Sequence, residues 1–152
     1  MEVTEIRDSC ERMRIARLVL ENLTEWFGMD ESREEYIDRS SGEMFLAAVD
    51  EGEAVGFLCL RPTSDATVEI DSMGILKSCH RKGFGKKLVL AAIESARAAG
   101  YSFMQVKTVK SGCYRQYDCT NLFYQAVGFR KLEVLDNLWD EWNPCQVYVM
   151  AL

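Results

Sequence analysis

The hydrophobic pattern changes period several times along the chain. Val3 to Arg7 alternates apolar with polar side chains, as a half-buried strand does. Asp8, with Glu11 three residues on, has the form of a capping box. Ile15, Leu18, Val19, Leu23 and Trp26 then recur at helical spacing until Gly28, which predicts a helix from Ser9 to Phe27. A shorter helix is expected from Glu31 to Arg39, its charge-rich face simply solvated, ending before Ser40-Ser41-Gly42. Met44 to Val49 and Ala54 to Leu60 are apolar runs separated by the turn signal Glu51-Gly52, and Pro62 stops the second. They read as an antiparallel hairpin.

Thr67 opens the next strand, which runs to Gly74-Ile75-Leu76 and leads into the glycine loop Gly83-Phe84-Gly85. A helix follows, with Leu88, Ala92, Ala96 and Ala99 on one face and Gly100 as its C-cap. Phe103 to Val109 reads as a strand, Lys110 to Cys119 as a loop, and Thr120 to Val127 as a short helix closed by Gly128-Phe129. Leu132 to Leu135 begins another strand, Asp136 to Pro144 is expected to be a connecting loop with two tryptophans, and Gln146 to Leu152 is a last apolar strand. The order βααβββαβαββ predicts an α/β sandwich around a mixed sheet, in a single domain over 1–152.

Composition narrows the classes. With 152 residues, 48% of them hydrophobic, the chain is large enough for a real core, and no apolar run approaches a membrane span. The acidic start, MEVTEIRDSCERM, lacks the apolar segment of a secretion signal. None of the six cysteines forms a C-x-x-C, and a single His cannot complete a Cys/His zinc set. With Cys10 and Cys59 falling in apolar helix and strand patterns, reduced thiols in a cytoplasmic protein without a metal are expected. A net charge of −6 disfavours nucleic acid as a partner. The cations are nevertheless clustered: Lys77, Arg81, Lys82, Lys86 and Lys87 share a segment that contains no acid, which suits a small phosphorylated ligand.

That segment holds the Gly83-Phe84-Gly85 loop. A G-x-G carries little information by itself. Here it follows a strand and opens a helix, so its backbone amides, the positive end of the helix dipole and the surrounding cations converge as a pyrophosphate cradle. A Walker A loop is absent, and Leu88 stands where a dinucleotide fingerprint would carry its third glycine.

The run His80-Arg81-Lys82-Gly83-Phe84-Gly85, followed by Lys86, resembles the [Q/R]-x-x-G-x-[G/A] motif of the GCN5-related N-acetyltransferases (GNAT), with His in place of Gln or Arg. His80 reads as a loop anchor. A second stretch, Thr120 to Phe129, is similar to the family's Tyr four residues before Gly-Phe, and places that tyrosine at Tyr124. Tyr117 stands where the family often has an Asn. The stretches Leu23 to Gly28 and Leu138 to Cys145 resemble a bacterial subgroup. The resemblance covers essentially the whole chain. It implies a mostly antiparallel sheet flanked by helices, acetyl-CoA as co-substrate, a loop of Arg81, Lys82, Gly83, Phe84, Gly85 and Lys86 holding it, an amine acceptor, and a possible homodimer.

Acyl transfer from a thioester to an amine needs a neutral amine, a polarised carbonyl, a proton for the departing thiolate, and alignment of both reactants. Glu69 and Asp71 are the candidate proton acceptors; strand alternation puts both on one face, opposite Val68 and Ile70. The resemblance favours Glu69, with Asp71 or a water also open. Tyr124 is the candidate general acid, since a phenol stays protonated at neutral pH. Gly74 inside a strand suggests a bulge or a close approach, freeing backbone near Ile75 to pair with the pantetheine amides. Trp26, Phe27, Tyr114 and Tyr117 are candidate walls of the acceptor site. Transfer of acetyl to a primary amine of a small molecule or peptide is the expected activity. A longer acyl-CoA donor, or a non-catalytic acyl-CoA-binding regulatory module, is the alternative.

Overall fold

The computed structural model describes residues 1–152. It contains β1 (Glu2–Glu5), α1 (Ser9–Asn22), α2 (Asp30–Ser40), β2 (Met44–Asp50), β3 (Glu53–Pro62), β4 (Thr67–Ile75), α3 (Phe84–Ala98), β5 (Phe103–Val109), α4 (Arg115–Ala126), β6 (Arg130–Asp140) and β7 (Asn143–Ala151). A single 3-10 turn, Lys77–Cys79, links β4 to the glycine loop. The seven strands form one sheet in the order β1-β2-β3-β4-β5-β7-β6. Only β4 and β5 run parallel; every other neighbouring pair is antiparallel. The expected element order and the mixed, mostly antiparallel sheet are therefore present.

Strand periodicity divides the core in two. Phe45, Ala47, Phe57 and Cys59 face α1 and α2, where they meet Ile15, Ala16, Val19, Leu20 and Ile37. Their neighbours Leu46, Ala48, Leu58 and Leu60 face the other way, onto Leu88, Val89 and Ala92 of α3. Asp8 caps α1 by accepting a hydrogen bond from the Glu11 amide at 2.8 Å.

Several boundaries differ from the sequence reading. α1 ends at Asn22, so Trp26 and Phe27 lie in the loop beyond it, and Leu18 is exposed. Asn22 turns to the 3-10 segment instead: its Oδ1 accepts from the Lys77 amide at 3.0 Å. Cys10 is also exposed, on the outer face of α1, while Cys59 is buried. α4 begins at Arg115, five residues before the expected start. The expected loop from Asp136 to Pro144 belongs to a hairpin of β6 and β7. Leu135 pairs with Cys145 and Asp140 with Asn143, so residues 136–139 of β6 oppose Pro144 alone. Proline has no N–H to give the ladder, and the longer strand arches outward across from it.

Two features of β4 position the site. First, Cys59 pairs with Ser72 and Leu60 with Ile70, which leaves Asp71 as an inserted residue. Asp71 and Ser72 consequently both turn toward the α2 side, together with Glu69. Beyond the insertion the parity flips, and Gly74 rather than Met73 faces α1. Second, β4 and β5 pair only from Thr67/Phe103 to Ile70/Val106. Past that point β4 continues to Ile75 with β3 on one side and no partner on the other.

Candidate active site

Of the two expectations for Gly74, a bulge or a close approach, the second holds, and the bulge lies at Asp71. Gly74 answers a close approach: a Cβ there would sit 2.7 Å from Leu23 Cδ1 and 2.9 Å from Val19 Cγ1, so the glycine lets α1 rest on β4. The Ile75 carbonyl is not free either, since it accepts from His80 Nε2 at 2.7 Å. His80 also packs edge-on against Trp26, with ring centroids 5.9 Å apart, and so anchors the loop as expected. The remaining β5-side backbone of Asp71–Ile75 is an open strand edge. It spans roughly 16 Å between the acidic face of β4 and the glycine loop.

At the loop, Arg81 has φ 61 and Gly83 φ 86. An L-residue tolerates that region poorly and glycine freely. Gly83 starts α3 without any side-chain cap, and nothing lies within 4 Å of where its Cβ would be. The first-turn amides of Phe84, Gly85 and Lys86 therefore point out uncovered. Gly85 has a structural role, because a Cβ there would come within 3.1 Å of the Phe123 ring on α4. Phe84 is buried beneath the loop. Arg81, Lys82, Lys86 and Lys87 are exposed and form no ion pair, whereas Lys77 is tied to Glu25 at 2.9 Å. An uncapped helix start ringed by four unpaired cations fits a polyphosphate, and the open β4 edge fits an amide-bearing arm.

Glu69 and Asp71 form the floor of a cavity of about 320 Å³. Both are almost wholly buried. Glu69 Oε2 accepts from Arg61 Nη2 at 2.9 Å, and its Oε1 accepts from Lys107 Nζ on β5. Asp71 accepts a two-pronged hydrogen bond from Arg39, at 2.8 Å from Nε and 3.2 Å from Nη2. Burial alone would raise the Asp71 carboxyl; the Arg39 fork, Glu43 and Arg61 outweigh it and hold Asp71 below the ordinary aspartate range. Behind it sits Glu43, buried, with no donor reaching either of its oxygens, so that it faces Asp71 as the proton-bearing partner. Burial first, and then the Asp71 carboxylate beside it, push Glu43 up to about 8. Glu43 and Asp71 are thus one neutral acid and one carboxylate at neutral pH.

The cavity walls are not the expected aromatics. Tyr36, Arg39, Arg61, Lys107, Leu138 and Trp139 line it, while Trp26, Phe27, Tyr114 and Tyr117 do not. The charge-rich face of α2 is accordingly not merely solvated, since it supplies Tyr36 and Arg39, with the Arg39 guanidinium 4.8 Å over the Tyr36 ring. Trp26 and Tyr117 instead fasten the α1–α2 loop to α4. Tyr117 donates to the Trp26 carbonyl at 2.7 Å, Trp26 Nε1 donates to Thr120 Oγ1 at 3.2 Å, and Gln116 donates to the Glu25 carbonyl at 3.0 Å. Burial, then Tyr36 and Tyr114, push the Tyr117 phenol to about 12.

Tyr124 lies on the inner face of α4, 6% exposed, with its ring packed edge-on against Phe123 and Phe129. Burial, and secondarily the phenols of Tyr117 and Tyr36, raise its pKa well above that of a free phenol. No protein acceptor takes its hydroxyl hydrogen, so it remains a protonated donor at any neutral pH. Asn121, which the sequence reading missed, holds α4 in place. Its Nδ2 donates to the carbonyls of Val109 and Tyr117 at 2.8 and 2.7 Å, and its Oδ1 accepts from Tyr148 at 2.6 Å. The signal was available as a polar residue on the buried stripe of α4, one turn before Tyr124.

Comparison with known proteins identifies the family and the fold. Residues 12–129 match the model of the acetyltransferase (GNAT) family. The uncharacterized N-acetyltransferase YvbK of Bacillus subtilis (strain 168) is 35% identical over 104 residues, which is 68% of this chain and 61% of that protein's own length. Among solved structures, the ribosomal-protein-S18-alanine N-acetyltransferase from Escherichia coli superposes with a TM-score of 0.78 at 12% identity, covering 99% of this chain and 94% of the other. An aminoglycoside 6'-N-acetyltransferase complexed with coenzyme A gives 0.77 at 17% identity, over 99% and 97%. At such identities the likeness is one of fold. The family match covers well over half of the residues, including the glycine loop and the tyrosine motif, and the chain belongs to the acetyltransferase (GNAT) family.

Proposed function

We propose that the protein is an acetyl-CoA-dependent N-acetyltransferase that moves the acetyl group directly to a primary amine of a small molecule or peptide. The observation that carries this reading is the open edge of β4, which runs from the uncapped, cationic start of α3 to a cavity floored by Glu69 and Asp71. The amides of Gly83, Phe84, Gly85 and Lys86, with Arg81 and Lys82, hold the pyrophosphate. The β4 edge from Asp71 through Gly74 toward Ile75 aligns the pantetheine arm as an added strand would. Bound acetyl-CoA supplies an activated carbonyl and a thiol leaving group. Glu69 takes the ammonium proton, directly or through water, while Asp71 stays committed to Arg39. Tyr124 gives its proton to the departing sulfur.

Acetyl-CoA should raise the melting temperature, because a ligand of the native state stabilises it. Release of free CoA over an amine panel then tests the transfer. No thermal shift at millimolar acetyl-CoA would sink the cofactor assignment. Because both Glu69 oxygens are ion-paired, a second reading also has support: a non-catalytic module that binds acyl-CoA, including longer acyl chains. A thermal shift without CoA release from any amine would favour that reading.

A further inference from the structure

The cavity presents more positive charge than its carboxylates cancel. Arg39, Arg61 and Lys107 face it with only Glu69 and Asp71 as counter-charges. The exposures are also unequal. The carboxylate side chains are 5% and 4% exposed, while those of Arg39, Arg61 and Lys107 are 36%, 42% and 28% exposed. An incoming molecule meets guanidinium and ammonium groups first, with the acids beneath them.

The cations also keep donors in reserve. Arg61 reaches both carboxylates through Nη2 alone, which leaves Nε and Nη1 without a protein acceptor. Arg39 uses Nε and Nη2, which leaves Nη1. Lys107 commits one ammonium hydrogen to Glu69. A guanidinium edge with free N–H groups beside an ammonium is suited to gripping a carboxylate. The opposite wall is apolar. Leu138 and Trp139 stand in the stretch of β6 that arches out across from Pro144. A volume of about 320 Å³ is near the small end of ligand sites.

We propose that the acceptor carries a carboxylate as well as its amine, on a small body with an apolar or aromatic side chain: an α-amino acid or a molecule of that form, and not a polycation. This rests on the transferase reading above. The two ends of such a zwitterion exchange partners with the site. Its carboxylate takes the free edge of Arg61 and the Lys107 ammonium, and Glu69, relieved of one or both cations, turns a lone pair to the substrate ammonium. The exchange leaves the net charge of the cavity unchanged, so no unpaired charge is buried on either side. A polyamine or aminoglycoside would instead add several positive charges beside three existing ones.

The test uses matched pairs that differ in the carboxylate: phenylalanine with phenethylamine, tryptophan with tryptamine, leucine with isoamylamine, plus spermidine and kanamycin as polycations. In the CoA-release assay the acid of at least one pair is expected to exceed its decarboxylated partner at least tenfold in kcat/KM. Arg61→Gln and Lys107→Gln should narrow that gap mainly by raising KM for the acid. Equal or better turnover of the decarboxylated amines, or of a polycation, overturns the proposal while leaving the transferase reading intact. A calorimetric arm is independent of chemistry: N-acetylphenylalanine, N-acetyltryptophan and N-acetylleucine are titrated against folded wild type and both variants. Binding of one of them that weakens at least tenfold in Arg61→Gln or Lys107→Gln supports the carboxylate site even if no amine turns over. If no amine turns over and none of the three binds in this variant-dependent way, the proposal fails. Acetyl-CoA binding, measured separately, reports on the cofactor assignment alone.

Discussion

Glu43 offers a measurement that isolates one buried group. Its carboxyl is buried beside Asp71, Arg39 and Arg61, with Cys59 close by, and as an acid it donates its proton to the Asp71 carboxylate. Its folded-state value of about 8 stands well above the 4.5 of an ordinary glutamate. The native protein therefore holds a proton that the unfolded chain has already released across that interval. Stability from this group is complete below the unfolded value and declines as the pH rises toward 8. At about 1.4 kcal/mol per pH unit, the loss between pH 5.5 and 7.5 comes to roughly 3 kcal/mol as an upper bound. Asp71 does not cancel it: its pKa is lowered, so its contribution is lost only on acidification below that interval.

Glu43→Gln replaces the neutral acid with a neutral amide of the same shape. The variant should match wild type only below the unfolded value of 4.5, and its advantage should widen by roughly 3 kcal/mol between pH 5.5 and 7.5, a change in the Tm gap on the order of 5–10 °C. Thermal unfolding of both proteins in one buffer series measures it, and any pH-independent offset between the two profiles reports packing. Parallel profiles over pH 5.5–7.5 would show that Glu43 is ionised in the fold, and the account of the Glu43–Asp71 pair would be wrong.

Four further outcomes are expected. Tyr124→Phe should lower kcat about 10²- to 10³-fold while leaving the acetyl-CoA thermal shift nearly unchanged, because only the proton donor is removed. Gly74→Ala should cost roughly 1–3 kcal/mol in urea unfolding, since its new methyl collides with Leu23 and Val19. Asn121→Leu removes the side-chain donor to the Val109 carbonyl and the acceptor of the buried Tyr148 hydroxyl, and should cost roughly 2–3 kcal/mol or more. Acetyl-CoA affinity should fall severalfold as salt is raised from about 0.05 to 0.5 M, and Lys82→Gln with Lys86→Gln should flatten that dependence.

Much of the fold is legible in the sequence because it rests on local signals. The Asp8 cap, the Glu51-Gly52 turn, the α3 stripe of Leu88, Ala92 and Ala96, and the Gly100 stop each follow from a few adjacent residues. The misread boundaries fall where local pattern and tertiary contact disagree. Trp26 continues the helical spacing of α1, yet its indole is drawn across to Thr120 and the Gln116 carbonyl once α4 is in place. The start of α4 was hidden because Arg115 to Asp118 is polar and lacks a side-chain cap, and its stabilising partners lie about ninety residues earlier in the chain.

The site is legible only in part, for a related reason. Glu69, Tyr124 and the glycine loop could be named because each sits in a contiguous motif. The cavity could not, because it depends on register. One inserted residue in β4 turns Asp71 and Ser72 the same way as Glu69, and hands the α1-facing position to Gly74. Four residues of β6 opposed to Pro144 push Leu138 and Trp139 outward, where they become a wall. Neither strand reveals its bulge by composition, since a bulge is a mismatch in count between two strands rather than a property of either one. The same holds for charge. Lys107 looks like an ordinary outward residue of β5, and Arg39 like part of a solvated helix face. Only the sheet order brings β5 beside β4 and sets α2 against the Asp71 bulge, which turns scattered cations into a site whose acids are covered and whose guanidinium edges are free. Sequence motifs thus locate the glycine loop and Tyr124, while strand registry determines the shape and charge of the cavity over Glu69 and Asp71.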